Sequence, residues 1–192
     1  MNTSQIHRLV LFPTDSNSAL AAWAPLIEAL QTERFLAGRW ETNTGIHYLA
    51  GDRFLDYVTF MGCSPHIAFE PPPDGSWNFC HVEFSEIYPR AQFRCASHHV
   101  YARCPHCRKR IAHWGEAISK WHIDPNVTTF GCDKCQEQVS VYQLGWRHTA
   151  AFGRMFLDIY SIYPHEGIPT DQLLRLLEQA TGNEWGYFYT DR

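Results

Sequence analysis

The chain lacks any run of 18 apolar residues, so no segment is long enough to cross a bilayer as a helix. Its opening stretch, MNTSQIHRLVLFPTD, holds too short an apolar core for a secretory signal, and no membrane partner is expected. Positive charge is not in excess. The 16 Lys and Arg against 20 Asp and Glu leave a net charge near −4, which removes any chain-wide pull toward nucleic acid or an anionic membrane. The common catalytic signatures are also missing: no Gly-x-Ser-x-Gly elbow, no phosphate loop ending in Gly-Lys-Ser/Thr, no dinucleotide glycine fingerprint and no His-Glu-x-x-His. That lowers the expectation of a common hydrolase, NTPase or dehydrogenase. There is no repeat and no low-complexity tract, and a chain of 192 residues that is 45% hydrophobic suffices for one core plus a small insert.

What the chain does have is two Cys-x-x-Cys pairs, Cys104/Cys107 and Cys132/Cys135. Two residues between cysteines let one tight turn aim both thiolates at one ion. Two such turns supply four sulfurs and leave no open coordination position, the pattern of a structural zinc site. A redox pair instead wants a single Cys-x-x-Cys at a helix start in a βαβ setting, and four thiolates suit an iron–sulfur cluster as well as zinc. The 24 residues between Cys107 and Cys132 exceed the usual spacing, and the excess is expected to fold back as a hairpin or short helix. His106, His113 and His122 lie close enough in sequence to replace a cysteine, although exposed ribbon positions suit them better.

With Cys104-Pro105-His106-Cys107 followed by basic residues and Gly131-Cys132-Asp133-Lys134-Cys135 as the second turn, the segment resembles the zinc ribbon family over about residues 100 to 142. The resemblance implies metal-dependent folding around one structural Zn2+ and a binding role, without specifying an activity. The chain then divides into an α+β core, residues 1–99 and 143–192, and a zinc-ribbon insert, residues 100–142.

Along the core, Ile6–Phe12 reads as a buried strand. Asp15, Ser16 and Ser18 offer caps for an amphipathic helix through Leu20, Trp23, Ile27 and Leu30, in which Pro25 either kinks the helix or occupies its first turn. Residues 35–48 are ambiguous between loop and strand. Arg53–Met61, closed by Gly62, reads as a strand that returns through the proline-rich Phe69–Ser76 turn to Trp77–Ile87 as a hairpin or meander. Gln92–Arg103 leads as a strand into the first cysteine pair and Gln138–Trp146 leads out of the second. Phe156–Tyr163 reads as a strand, Thr170 caps a helix over Asp171–Ala180 that Gly182 stops, and Glu184–Thr190 returns as a strand. The order β-α-β-β, insert, β-α-β fits an α+β two-layer sandwich of ferredoxin-like type.

Strand periodicity sets Cys80, Val82 and Phe84 toward the core and places His81 with Glu83 on the opposite face. With Asp158, His165 and Glu166 they form the candidate general acid–base or second metal site of the core, His81, Glu83 and His165 being its proposed catalytic members. His98 and His99 are neighbours on the expected strand, so their side chains would point to opposite faces and could not share one ion. Cys63, Cys80 and Cys95 read as buried small hydrophobes in a reducing, cytoplasmic compartment.

Between Arg94 and His122, six basic residues (Arg94, Arg103, Arg108, Lys109, Arg110 and Lys120) face the single acid Glu116. Interleaved with Trp114, Trp121 and Phe130, they can neutralise phosphates while aromatic rings stack bases. The rings can equally pack the ribbon onto the sheet. Arg108, Lys109, Arg110, Trp114, Lys120 and Trp121 are therefore the candidate partner-binding set. The preferred function is a non-catalytic binding module whose ribbon contacts a protein or nucleic acid; a metalloenzyme and a ribbon-mediated homo-oligomer are the alternatives.

Overall fold

The computed structural model describes residues 6–42, 45–61 and 67–191 of the chain. Gly62 and Cys63 lie outside the described residues. The first part of the chain contains β1 (Arg8–Pro13), α1 (Ala24–Thr32), β2 (Leu36–Trp40), β3 (Ile46–Ala50), α2 (Phe54–Tyr57), β4 (Val58–Phe60), β5 (His81–Phe84) and β6 (Gln92–Cys95). The middle contains β7 (Ala102–Arg103), β8 (Arg110–Ile111), α3 (Trp114–Ile123), β9 (Thr129–Gly131) and β10 (Gln138–Ser140). The last part contains β11 (Ala150–Gly153), β12 (Leu157–Tyr160), β13 (Gly167–Pro169), α4 (Asp171–Thr181) and β14 (Trp185–Thr190).

This is a mixed α and β chain built on a six-stranded antiparallel sheet of order β14-β1-β12-β5-β3-β2. Alternation along each strand sorts the two faces. Leu9, Leu11, Val82, Phe84, Leu157 and Ile159 pack into one apolar cluster with Leu26, Ile27 and Leu30 of α1 and Leu173 and Leu177 of α4. Arg8, His81, Glu83, Asp158 and Tyr160 lie between those residues in the strands and therefore face the other way. Part of that second face is covered by the β6–β11 ladder, where Ala151 joins Val10, Phe156 and Phe188 in a small cluster.

The helices start and stop for local reasons. Thr170 caps α4 by accepting from the backbone N–H of Leu173 at 3.3 Å, and Gly182 ends it in the left-handed region at φ 69°. For α1 the proline sits in the first turn, where its missing N–H costs nothing. Asp15 does not cap this helix: Trp23 occupies the cap position, and the Asp15 carboxylate accepts from Asn17 N–H at 2.9 Å in a separate turn.

Two expectations are corrected. Arg53–Met61 is not one strand paired to Trp77–Ile87. It begins as α2, because Phe54 and Tyr57, three residues apart, both bury against Phe35 at 5.1 and 5.7 Å between ring centroids. Its strand part, β4, pairs with β13 instead, while β5 pairs with β12 and β3. Pro71, Pro72 and Pro73 offer no backbone N–H, so the intervening segment cannot continue a ladder. The second correction concerns Gln92–Arg103, which is two short strands separated by a bend at Ser97–His98, with His99 left-handed at φ 57°.

Candidate metal centre

The two Cys-x-x-Cys turns are built alike. In the first, Arg108 N–H donates to the Cys104 carbonyl at 2.9 Å and Cys104 N–H donates to the Lys109 carbonyl at 3.0 Å. In the second, Gln136 N–H donates to the Cys132 carbonyl at 2.9 Å and Cys132 N–H donates to the Glu137 carbonyl at 2.9 Å. The residue after each second cysteine is left-handed, Arg108 at φ 59° and Gln136 at φ 64°, which closes the turn and turns both thiols of a pair inward.

The four ligand sulfurs all lie within 4.8 Å of one another. Cys104 Sγ is 3.8 Å from Cys135 Sγ, and Cys107 Sγ is 3.9 Å from Cys132 Sγ. A tetrahedron of sulfurs about 2.3 Å from a central ion has edges of about 3.8 Å. A disulfide would bring two sulfurs to about 2.0 Å, and all four cysteines are free thiols. These cysteines are therefore positioned to bind a metal ion. Cys104 and Cys132 are buried and Cys107 and Cys135 half-buried, which leaves little room for a water ligand. Among the described residues no other group of His, Cys, Asp or Glu presents three ligand atoms so close together.

The electrostatics show what a cation would supply. The backbone N–H of Lys134, aided by N–H of Cys135 and by the neighbouring thiols, brings the Cys132 thiol down to about 7. Cys135 is pushed up to about 12: the Glu137 backbone N–H lowers it, but burial and hydrogen bonds with the other three thiols outweigh that donor. One thiolate forms readily here, whereas four together need positive charge among them.

A separate apolar cluster supports the centre. Ala102, Ile111, Ala117, Ile118, Trp121, Val139 and Val141 surround Cys104 and Cys132, and the cluster continues into Leu144, Trp146, Ala150 and Phe152. Helix α3 supplies the fold-back between the cysteine pairs, with Ala117, Ile118 and Trp121 buried, Glu116 in its first turn, and Lys120 and His122 in its last, as the helix dipole favours. Trp121 packs edge-on to Phe152 at 5.0 Å and donates from Nε1 to the Tyr142 hydroxyl at 2.8 Å. Trp114 lies half-buried against Trp146 at 5.4 Å. Arg108, Lys109, Arg110 and Lys120 are exposed, and the Arg110 guanidinium lies 4.5 Å from the Tyr101 ring centroid. His106 and His122 are exposed and His113 half-buried, all outside the sulfur group. Comparison with known proteins gives no match: no family model, curated protein or solved structure aligns significantly with the chain.

On the second sheet face, His81, Glu83 and Asp158 do come together. Glu83 stands in register opposite Asp158, and the Tyr160 hydroxyl donates to Glu83 while its ring stacks on His81 at 4.1 Å. Burial holds the His81 imidazole down to about 4, so it is neutral, and its Nδ1–H donates to the Phe79 carbonyl at 3.0 Å. His165 is not part of this group. It sits against Tyr189 at 5.4 Å and lines a different cavity with His98, His99 and His148.

Arg94 is corrected as well. Its guanidinium leaves the basic run to make a bidentate pair with the buried Asp158, one arm at 2.8 Å, and Arg8 lies 3.6 Å from the same carboxylate. Nothing local in the sequence signals this pair, because it depends on β6 lying over the sheet. Cys80 is fully buried and its thiol pushed well up by desolvation, which suits a small hydrophobe.

Proposed function

We propose that Cys104, Cys107, Cys132 and Cys135 hold one structural Zn2+. The ion would staple residues 100–142 as a zinc-ribbon arm on the α+β core of residues 1–99 and 143–192, and the arm would serve as a non-catalytic binding module for an anionic partner in the reducing cytoplasm. The carrying observation is the sulfur group: all four atoms lie within 4.8 Å of one another, and two of the separations, 3.8 and 3.9 Å, equal the edge of a four-thiolate zinc site. Zinc is preferred to an iron–sulfur cluster because four sulfurs within 4.8 Å of one another enclose a single ion, which can order a small loop.

The charge distribution supports the partner. Residues 100–142 carry six Lys and Arg against four Asp and Glu, in a chain whose total is −4. Arg108, Lys109 and Arg110 are exposed next to the first cysteine turn, Lys120 is exposed on α3, and Trp114 is half-buried at the start of that helix. Trp121 contributes to the arm's own packing rather than to contact. Single-stranded nucleic acid is the case to test, because backbone phosphates meet the basic run and bases stack on rings.

The test is the salt dependence of binding to a labelled single-stranded oligonucleotide. Three phosphate contacts give a slope of log affinity against log salt of about −2, and replacing Arg108, Lys109 and Arg110 by serine abolishes it. Absence of binding at low salt removes the nucleic-acid partner and leaves an acidic protein surface.

A second reading draws on one observation, a cleft of about 420 Å³ lined by Arg8, Glu83, Tyr88, Arg94 and Asp158 on the second sheet face. Two carboxylates beside two guanidinium groups can perform acid–base work on a small molecule. Saturable small-molecule binding lost in Glu83→Gln supports this reading, and its absence across a metabolite panel removes it.

A further inference from the structure

Four of the chain's 11 histidines, His98, His99, His148 and His165, line one cavity of about 250 Å³. They come from three separate parts of the chain: the bend after β6, the turn before β11 and the turn between β12 and β13. On an extended strand His98 and His99 would face opposite ways. The strand ends at Cys95, and both side chains reach the same cavity.

Three of these residues hold backbone conformations that L residues rarely adopt: His99 at φ 57°, His148 at φ 59° and His165 at φ 67°. Each such conformation costs about 1 kcal/mol or more and persists only where its surroundings enforce it. The enforcement is visible at His148, whose carbonyl accepts from Tyr189 N–H at 3.0 Å and whose ring stacks on Tyr187 at 4.2 Å between centroids.

The hydrogen bonds also assign tautomers. His148 Nδ1 lies 2.8 Å from the Tyr187 carbonyl oxygen, which can only accept, so Nδ1 is the donor and Nε2 is the nitrogen that can face a metal ion. Ser97 gives its hydroxyl proton to Asp191, so the Ser97 oxygen, 2.7 Å from His98 Nδ1, accepts from that nitrogen. At His98, too, Nε2 is the nitrogen that can face a metal ion. An imidazole whose Nδ1–H is tied to a carbonyl, or through a hydroxyl to a carboxylate, is the outer-shell arrangement that orients a metal ligand.

We propose that this cavity is a second metal site, which takes a divalent first-row transition-metal ion through Nε2 of His98 and His148 and an imidazole nitrogen of His165. His99 is the neighbouring fourth donor, and solvent fills the remaining positions. Neutral imidazoles select the borderline ions of this series over Mg2+ and Ca2+. His98 and His148 stay oriented by their Nδ1 partners, and the exposed rings of His99 and His165 close on the ion by rotating about a fixed backbone. This imidazole site is independent of whatever the four cysteines hold.

The test compares the full chain with a His148→Asn/His165→Asn double variant by equilibrium dialysis against micromolar Zn2+, with bound metal counted by elemental analysis. Asparagine tolerates the left-handed backbone, so the substitution removes the imidazoles without adding strain. The full chain is expected to hold one ion more than the variant, whatever the thiolates take, and each single variant to weaken that ion by about tenfold or more. Equal counts overturn the proposal. So does equal loss in a His106→Ala/His122→Ala control, which would mean scattered surface binding. A readout free of variants is the histidine ring-proton spectrum with substoichiometric Cu2+: selective broadening of four ring signals supports the site, and uniform broadening or none refutes it.

Discussion

Buffering free zinc while the protein is melted gives the most direct measure of the four-cysteine centre. A structural four-thiolate site contributes about 10–16 kcal/mol of apparent binding energy at neutral pH, and four sulfurs already within 4.8 Å of one another have only a short way to move onto an ion. Near the lower part of that range, at about 12 kcal/mol, the dissociation constant is about 1 nM. Linkage then stabilises the folded form by about 5.5 kcal/mol at roughly 10 μM free ion and by about 1.4 kcal/mol for every further decade. For a chain of this size each kcal/mol moves the melting temperature by about 2–4 °C, so a decade of free zinc is worth roughly 3–6 °C. If the ribbon melts on its own, the smaller unit shifts by more. Fluorescence reports both parts, because Trp121 and Trp146 belong to the apolar cluster around the cysteines and Trp23 and Trp185 to the main core. Cys132→Ser should flatten the dependence. A melting temperature indifferent to free zinc over several decades in the unsubstituted chain would refute the metal-stapled ribbon.

Two further outcomes follow from the second sheet face. His81 is held down to about 4 from an ordinary value of 6.5, so the unfolded chain binds its proton first; stability is fully present above pH 6.5 and is lost as the pH falls toward 4, by about 3 kcal/mol in all. Urea midpoints across that window should fall more steeply for the unsubstituted protein than for His81→Gln, and parallel curves would contradict the assignment. Asp158→Ala strands the Arg94 guanidinium, which is expected to cost about 3–5 kcal/mol, whereas replacing both residues by leucine should recover most of the loss. Thermal melts of the two singles and the double measure this coupling, and additive losses would mean the pair acts separately.

Much of the centre was legible in the chain because its geometry is local. Two residues between cysteines dictate a turn whichever fold surrounds it, so the four cysteines could be grouped from spacing alone, whereas the length of the connection left hairpin and helix open and the structure shows helix α3. Helix α4 was equally readable, since Thr170, Gly182 and the leucine spacing act within a few residues of one another. Strand alternation correctly put His81 and Glu83 on the face away from Val82.

Partnership between distant segments was decided only by the tertiary structure. The same alternation could not reveal that β5 pairs with β12 rather than with the preceding strand, because hydrogen-bond ladders carry no sequence label. Arg94 looked like one more basic surface residue until β6 lay across the sheet and brought it to Asp158, and His98 and His99 looked opposed until a bend replaced the expected strand. His165, grouped by sequence with His81, belongs in space with three other imidazoles. Local spacing thus determined the chemistry of the sulfur centre, whereas register and backbone bends, set by packing over the whole sheet, decided which remaining polar groups meet.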